Sequence, residues 1–142
     1  MNERVLIVDD EKEFLEVMEE RIAARGMRVA TSMSAKEALT RIEKESFDAI
    51  IMDFQMPGMD GIEALKAIKE KKPELQIILL TGHASVKRGV EAIKEGALDF
   101  MEKPADLDEL TEKIKEAQVN KMIVVDKQNK KVVDEVLMRF GF

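Results

Sequence analysis

Hydrophobic residues in the first 118 positions of the chain occur in short continuous runs separated by longer amphipathic stretches. Five runs of apolar or β-branched residues predict strands, at residues 4–8, 27–31, 49–52, 75–80 and 97–101. The runs at 5–8 and 77–80 are apolar at every position, with no alternation. Such runs are typical of strands buried on both faces, as in a parallel sheet covered by helices.

Apolar residues three or four positions apart follow each strand and predict five amphipathic helices. The five stripes are Phe14, Leu15, Met18 and Ile22; Ala35, Ala38, Leu39 and Ile42; Ile62, Leu65 and Ile68; Val86, Val90 and Ile93; and Leu107, Leu110 and Ile114. Strand and helix patterns alternate strictly. The expected fold class is therefore α/β, a five-stranded parallel sheet in a doubly wound (βα)5 arrangement with right-handed crossovers. The pattern leaves the order of the strands open.

Residues typical of helix boundaries flank these stripes. Four polar residues, each three positions before a glutamate, are predicted to cap helices: Asp10, Ser34, Asp60 and Asp106. Gly26 and Gly96 are expected to end the first and fourth helices, because a helix often stops at a glycine in the left-handed region.

Chemically reactive side chains follow four of the five strands. Asp9 and Asp10 come after the first strand, Asp53 after the third, Thr81 after the fourth and Lys103 after the fifth. In such sheets ligands bind outside the carboxyl ends of the strands, so we expect these side chains to lie at one edge. Carboxylates brought together raise one another's pKa unless a cation intervenes. Oxygen ligands without histidine or cysteine suit a hard cation such as Mg²⁺, and a carboxylate can itself be the nucleophile that forms an aspartyl phosphate.

Four segments in order resemble the motifs of response-regulator receiver domains of bacterial two-component systems. They are Asp9-Asp10, the run at 53–61, Leu80-Thr81-Gly82 and Lys103-Pro104, and the resemblance covers about residues 3–118. It implies a flavodoxin-like receiver fold and a phosphorylation-activated switch in which Asp53 accepts a phosphoryl group from a phosphohistidine. The donor would be a sensor histidine kinase or a phosphotransfer domain. The protein would catalyse only its own phosphoryl transfer and dephosphorylation.

The resemblance also implies a metal site for Mg²⁺ or Mn²⁺. Asp10 would bind the ion directly, Asp9 mainly through water, and Asp53 and the backbone carbonyl of Gln55 would complete the protein ligands. Such a site would act mainly by positioning the phosphoryl group and neutralising its charge.

The family pattern assigns the remaining site residues to the switch. Thr81 and Lys103 would hold the phosphoryl group, and Phe100 would turn inward as Thr81 moves toward it. Lys103-Pro104 would be a cis peptide, a conformation largely confined to proline. This chain has phenylalanine at a position where many members have tyrosine, so a part of the switch that depends on the hydroxyl would be absent.

His83 is the only histidine of the chain. As a lone histidine it is more plausible as a loop residue beside the site than as a phosphohistidine or a metal ligand. His83 lies two residues after Thr81, as Gln55 lies two after Asp53. We expect His83 and Gln55 to border the path of the hydrolysing water and to set the lifetime of the aspartyl phosphate.

Two other functions fit the pattern less well. A phosphatase of the haloacid-dehalogenase type would need a second aspartate two residues after the nucleophile, where this chain has Gln55. A flavodoxin-like nucleotide or flavin binder would need a phosphate-binding glycine loop, and no such motif occurs.

Composition and charge narrow the range of partners. The net charge is −6, and DNA binding requires a basic surface, so no nucleic-acid partner is expected. The absence of cysteine favours a reducing cytoplasm, and no uncharged stretch approaches the ~20 residues of a membrane helix. Neither a membrane association nor a thiolate metal site is predicted.

Residues 119–142 lie outside the resemblance and are predicted to form a C-terminal extension to a receiver domain at 1–118. An amphipathic helix is predicted from the apolar positions Val132, Val133, Val136, Leu137 and Phe140. This extension would fold back on the domain, lengthen the fifth helix or pair with a second chain. The expected partner that responds to phosphorylation is an unidentified downstream protein. The alternative is a homodimer, formed through this extension or through the face made by the fourth helix, fifth strand and fifth helix.

Overall fold

The computed structural model describes residues 2–82 and 85–139, in which strands and helices alternate. In chain order the elements are β1 (Arg4–Val8), α1 (Lys12–Ala23), β2 (Arg28–Ser32), α2 (Ala35–Lys44), β3 (Ala49–Asp53), β4 (Gln55–Met56), β5 (Met59–Asp60), α3 (Gly61–Lys71), β6 (Gln76–Thr81), α4 (Val86–Lys94), β7 (Asp99–Glu102) and α5 (Leu107–Arg139). Within this part of the chain no helix combines the length and apolar character needed to cross a membrane.

Five strands form one parallel sheet in the order β2-β1-β3-β6-β7, with helices on both faces. Alternate residues of each strand enter two separate cores. Leu6, Ile50 and Ile77 pack with the helices α2, α3 and α4, whereas Val5 and Ile78 pack with α1 and α5. Right-handed crossovers explain this division, because the chain reverses its direction across the sheet after β2. The predicted fold class is confirmed.

The strands differ from the predicted runs by at most two residues, and two of the differences concern site residues. Asp53 and Thr81 are the last residues of β3 and β6, and were predicted to follow them. Backbone pairing continues past the apolar run, since Asp53 pairs with Leu80 and Thr81 with Glu102. A two-residue antiparallel hairpin, β4–β5, was not predicted.

The predicted helix boundaries are confirmed at four positions. The Ser34 hydroxyl accepts a hydrogen bond from the Glu37 backbone N–H at 3.1 Å, and Asp106 accepts one from Glu109 at 3.0 Å. Gly26 and Gly96 have φ angles of 90° and 104° after α1 and α4. These values lie in the left-handed region, which residues with a Cβ avoid.

The predicted cap at Asp10 is wrong, and Asp60 holds the predicted N-cap position of α3 without a side-chain capping hydrogen bond. Helix α1 begins after Glu11, whose side chain makes no capping hydrogen bond, and it is Asp9 that accepts from the Glu11 N–H at 2.9 Å. Asp60 stands directly before α3, but its carboxylate bonds to Arg88 instead of the helix N-terminus. An ion pair from another element therefore replaces the local cap.

Helix α5 runs for 33 residues, about 50 Å. Its buried side chains end at Ala117, and Lys121 contacts the Ser46 hydroxyl and the Phe47 carbonyl at 2.9 and 2.7 Å. Residues 126–139 are helical and exposed. The extension thus lengthens the fifth helix as far as Arg139, and its pairing with a second chain stays a prediction. Phe140 lies outside the described residues.

Candidate functional site

Three carboxylates meet where β1 and β3 end side by side. Asp9, Asp10 and Asp53 each offer an oxygen atom within 4.8 Å of the others. The side chains of Asp9 and Asp53 are buried, with 1% and 8% of their surface exposed, whereas Asp10 is exposed. Strand order brings them together, because β1 and β3 are neighbours at the point where the chain changes direction across the sheet.

Lys103 enters this cluster from the end of β7. Its Nζ atom lies 2.7 Å from Asp9 Oδ2 and 3.7 Å from Asp53 Oδ2. The ammonium also stands 4.2 Å from the ring centroid of Phe14, a geometry that favours a cation. The peptide bond between Lys103 and Pro104 is cis, as predicted. In this arrangement Lys103 is bonded mainly to Asp9 and is in reach of Asp53.

The electrostatics of the cluster favour a further cation. Burial raises the pKa of Asp53, and the charges of Asp9 and Asp10 raise it further. The hydrogen bond from the Gln55 N–H and the charge of the Lys103 ammonium lower this pKa, but the net shift is upward. Burial alone would lower the pKa of Lys103, but its bond to Asp9 and the charges around it raise that pKa. One ammonium among three carboxylates leaves an excess of negative charge. The donors are all oxygen, so the residues fit a hard divalent ion such as Mg²⁺.

The loop after Asp53 is held by backbone hydrogen bonds. Asp53 Oδ1 accepts from the Gln55 N–H at 3.2 Å, and the Phe54 N–H donates to the Leu80 carbonyl at 2.7 Å. The Gly61 N–H donates to the Phe54 carbonyl at 3.0 Å, and a Cβ on Gly61 would lie only 2.6 Å from that oxygen. The hydrogen bond between Gly61 and Phe54 therefore joins the two ends of the loop, and only glycine fits at position 61.

Thr81 and Phe100 lie on neighbouring strands beside this loop. Thr81 is buried, and its carbonyl accepts from the Lys103 N–H at 2.7 Å. Phe100 is half-buried and meets the Phe54 ring edge-on, with the centroids 5.2 Å apart. Among the predicted site residues, the structure brings Asp9, Asp10, Asp53 and Lys103 into one cluster, with Thr81 on the neighbouring strand.

Two other predicted site residues lie beside the cluster. Phe100 contacts the ring of Phe54, the residue after Asp53, and Gln55 has an exposed side chain although its N–H bonds to Asp53. His83 lies outside the described residues.

Two contacts at the site were not predicted. The sequence predicted Phe14 only as part of the apolar stripe of α1, and it predicted no role for Arg88. The guanidinium of Arg88 lies over the face of Phe54, with Cζ 4.6 Å from the ring centroid. A surface arginine has no sequence signal that identifies its partner, because that partner lies on another element of the fold.

Comparison with known proteins agrees with this geometry. The family model described as the response regulator receiver domain matches residues 5–115. The chain belongs to this family. Receiver domains of two-component response regulators are phosphorylation-activated switches, and the aspartate cluster is consistent with the phosphorylation site. The function predicted from the sequence is confirmed at this level.

Individual relatives resemble the chain over the same region. The transcriptional regulatory protein ZraR of Klebsiella oxytoca is 37% identical over 113 residues, which are 80% of this chain and 26% of that protein. A receiver domain structure from Clostridium thermocellum is 31% identical with a TM-score of 0.81, covering 86% of this chain and 98% of that one. The beryllofluoride-activated NtrC4 receiver domain dimer is 36% identical with a TM-score of 0.78, covering 83% and 98%. The chain thus spans about a quarter of the length of the curated relatives it matches.

Proposed function

We propose that Asp53 is the phosphoacceptor of this receiver domain. Its carboxylate would attack the phosphorus atom of a phosphohistidine on a sensor histidine kinase or a phosphotransfer domain. The bond from phosphorus to the histidine nitrogen breaks, and the imidazole keeps the electron pair. The observation that carries the proposal is the position of Asp53 at the end of a buried strand, next to Asp9, Asp10 and Lys103.

A divalent ion, Mg²⁺ or Mn²⁺, would neutralise charge on the phosphoryl oxygens when bound. We assign its protein ligands to Asp10, Asp9, Asp53 and the Gln55 carbonyl. Lys103 would reach a phosphoryl oxygen on Asp53 by moving its ammonium from Asp9 toward Asp53. The two distances of 2.7 and 3.7 Å support this role, because Lys103 already lies between the two carboxylates.

Hydrolysis would return the switch to its starting state. A water molecule attacks the phosphorus, and the Asp53 oxygen leaves with the electron pair. We assign the control of this step to the side chains of Gln55 and His83. The exposed position of Gln55 beside Asp53 supports its part in it. No turnover of an external substrate is proposed.

The response would pass from Thr81 and Phe100 to the face formed by α4, β7 and α5. Val86, Val90 and Ile93 of α4 are exposed at 85%, 48% and 47%, which suits a surface that a protein covers. We propose that a partner protein or a second copy of the chain binds there. The NtrC4 receiver domain is a dimer when activated by beryllofluoride, which supports the second copy.

We keep the division into a receiver domain at 1–118 and an extension at 119–142 as a proposal. Val132, Val133, Val136 and Leu137 are exposed at 42–58% on the distal half of α5, so they are available to pair with another helix. The net charge of −6 favours protein over nucleic-acid partners for this chain, although the matched relatives include transcriptional regulators. We propose that this signalling takes place in the cytoplasm, because a chain without cysteine is compatible with that reducing compartment.

Incubation with acetyl phosphate and Mg²⁺, followed by intact mass measurement, tests the proposed function. We expect a gain of one phosphoryl group in the wild type and none in Asp53→Asn. Beryllofluoride with Mg²⁺ should bind to the wild type and not to the variant. A wild type that shows neither the adduct nor beryllofluoride binding would refute the assignment of Asp53.

A further inference from the structure

Arg88 ties the first turn of α4 to the loop that follows Asp53. Its Nη2 atom lies 2.7 Å from Asp60 Oδ1, and its Cζ atom lies 4.6 Å from the centroid of the Phe54 ring. Nη1 is also 3.6 Å from Glu91 on the same helix. Arg88 therefore holds two groups of the 53–61 segment at once, an acidic side chain and an aromatic face.

The ring of Phe54 makes a second contact with Phe100. The two rings meet edge-to-face at 86°, an arrangement that aromatic pairs prefer. Phe100 also stands against α4 at Gly89, where a Cβ would lie 3.2 Å from its Cδ1 atom. Arg88, Phe54 and Phe100 thus form a continuous set of contacts from α4 through the residue next to Asp53 to β7.

Helix α4 has fewer buried residues than the other helices. Only Ala92 is buried in α4, whereas α3 buries five residues. Apolar packing usually determines the position of a helix, because each buried side chain contributes more than an exposed ion pair. With so little apolar burial, the polar and cation–π contacts of Arg88 form a large share of what positions the start of α4.

We propose that Arg88 is a positioning residue that holds α4 and Phe100 in this arrangement through Phe54. This inference rests on the proposed function, in which the response to phosphorylation passes through Thr81 and Phe100. It takes the arrangement with Phe100 against Gly89 of α4 as the one that phosphorylation disfavours. Loss of the Arg88 contacts raises the population of the arrangement that binds the phosphoryl group. A ligand that favours that arrangement then binds more tightly.

The experiment measures beryllofluoride affinity at fixed Mg²⁺ by following backbone amide resonances in an NMR titration. We expect Arg88→Ala to bind about three- to tenfold more tightly than the wild type, the range expected for a cation–π contact with a partly exposed ion pair. Lys87→Ala is the matched control. It removes one positive charge from the same turn, its side chain is exposed, and it should leave the affinity unchanged.

A double-mutant cycle separates the contact with Phe54 from a general loosening of α4. In a Phe54→Leu background the ring face is gone, so Arg88→Ala should change the affinity less than twofold, about what an exposed ion pair contributes. Arg88→Lys keeps a cation within reach of both groups and should bind between the wild type and Arg88→Ala. Urea denaturation of each variant would show whether it is folded.

Three results would overturn the inference while leaving the proposed function intact. They are an unchanged or weakened affinity in Arg88→Ala, an equal effect of Lys87→Ala, and a full effect of Arg88→Ala without the Phe54 ring. By contrast, a wild type that binds no beryllofluoride would count against the proposed function itself.

Discussion

Substitution of Gly61 by alanine tests the steric basis of the phosphoacceptor loop. A Cβ at this position would lie 2.6 Å from the Phe54 carbonyl oxygen, 2.9 Å from Phe54 Cδ2 and 3.0 Å from Phe54 Cα. Two of these three atoms belong to the backbone, which cannot rotate away as a flexible side chain would. The variant must therefore displace either the start of α3 or the loop after Asp53.

The size of the effect follows from opposing contributions. Overpacking of this kind costs about 1–3 kcal/mol, and the displacement also weakens the hydrogen bond from the Gly61 N–H to the Phe54 carbonyl, worth about 0.5–1.5 kcal/mol. Alanine gains at most about 1 kcal/mol over glycine in a helix. We expect Gly61→Ala to lower the free energy of unfolding by about 2 kcal/mol.

Urea denaturation followed by circular dichroism measures this change. Gly82→Ala is the matched control, because among the described residues no atom other than those of its chain neighbours lies within 4 Å of its Cβ position, and its φ angle is not in the left-handed region. The control should stay within about 0.5 kcal/mol of the wild type. Phosphorylation of Gly61→Ala by acetyl phosphate should also be slower, because Phe54 directly follows the phosphoacceptor Asp53 in the chain and a shift of its backbone would displace Asp53. Equal stability of Gly61→Ala and the wild type would refute the steric explanation of this glycine.

Four further predictions concern charge and the extension. Burial raises the pKa of Asp53 above its ordinary 3.8, so the folded state binds more protons than the unfolded state between the two pKa values, and the contribution of Asp53 to stability falls as pH rises through them. Asp53→Asn should therefore be more stable than the wild type in urea at pH 7, with a smaller advantage at pH 4; equal differences at both pH values would contradict this. Mg²⁺ at ten times its dissociation constant should stabilise the wild type by about 1.4 kcal/mol, and Asp53→Asn less, in the same assay. Lys103→Met should slow phosphorylation by acetyl phosphate at least about tenfold, because it removes the cation nearest the phosphoryl group, and an unchanged rate by intact mass would exclude that role. A chain truncated after Val125 should keep its stability within about 0.5 kcal/mol, since residues 126–139 are exposed, and light scattering should show a lower mass if the extension forms a dimer.

Much of the fold could be predicted because its signals are local. The apolar runs of β1 and β6 and the apolar stripes of the helices show directly which residues are buried, because burial follows the regular spacing of side chains along each element. Gly26 and Gly96 mark helix ends through their own backbone conformation. The acidic pair after β1 and the aspartate at the end of β3 were recognisable because residue type and position along the chain together predict the edge of the sheet.

What the sequence left open depends on contacts between distant residues. Strand order placed β1 beside β3 and so brought Asp9 next to Asp53, and no local pattern contains that information. Asp60 has the sequence of a helix cap, but Arg88 from α4 takes its carboxylate. In the same way Asp9, and not Asp10, bonds both to Lys103 and to the start of α1.

The sequence by itself therefore determined the kind of chemistry and the elements that carry it. Only the tertiary structure decided which side chain meets which, because a hydrogen bond or ion pair depends on distances of a few ångströms that the packing of separate elements sets.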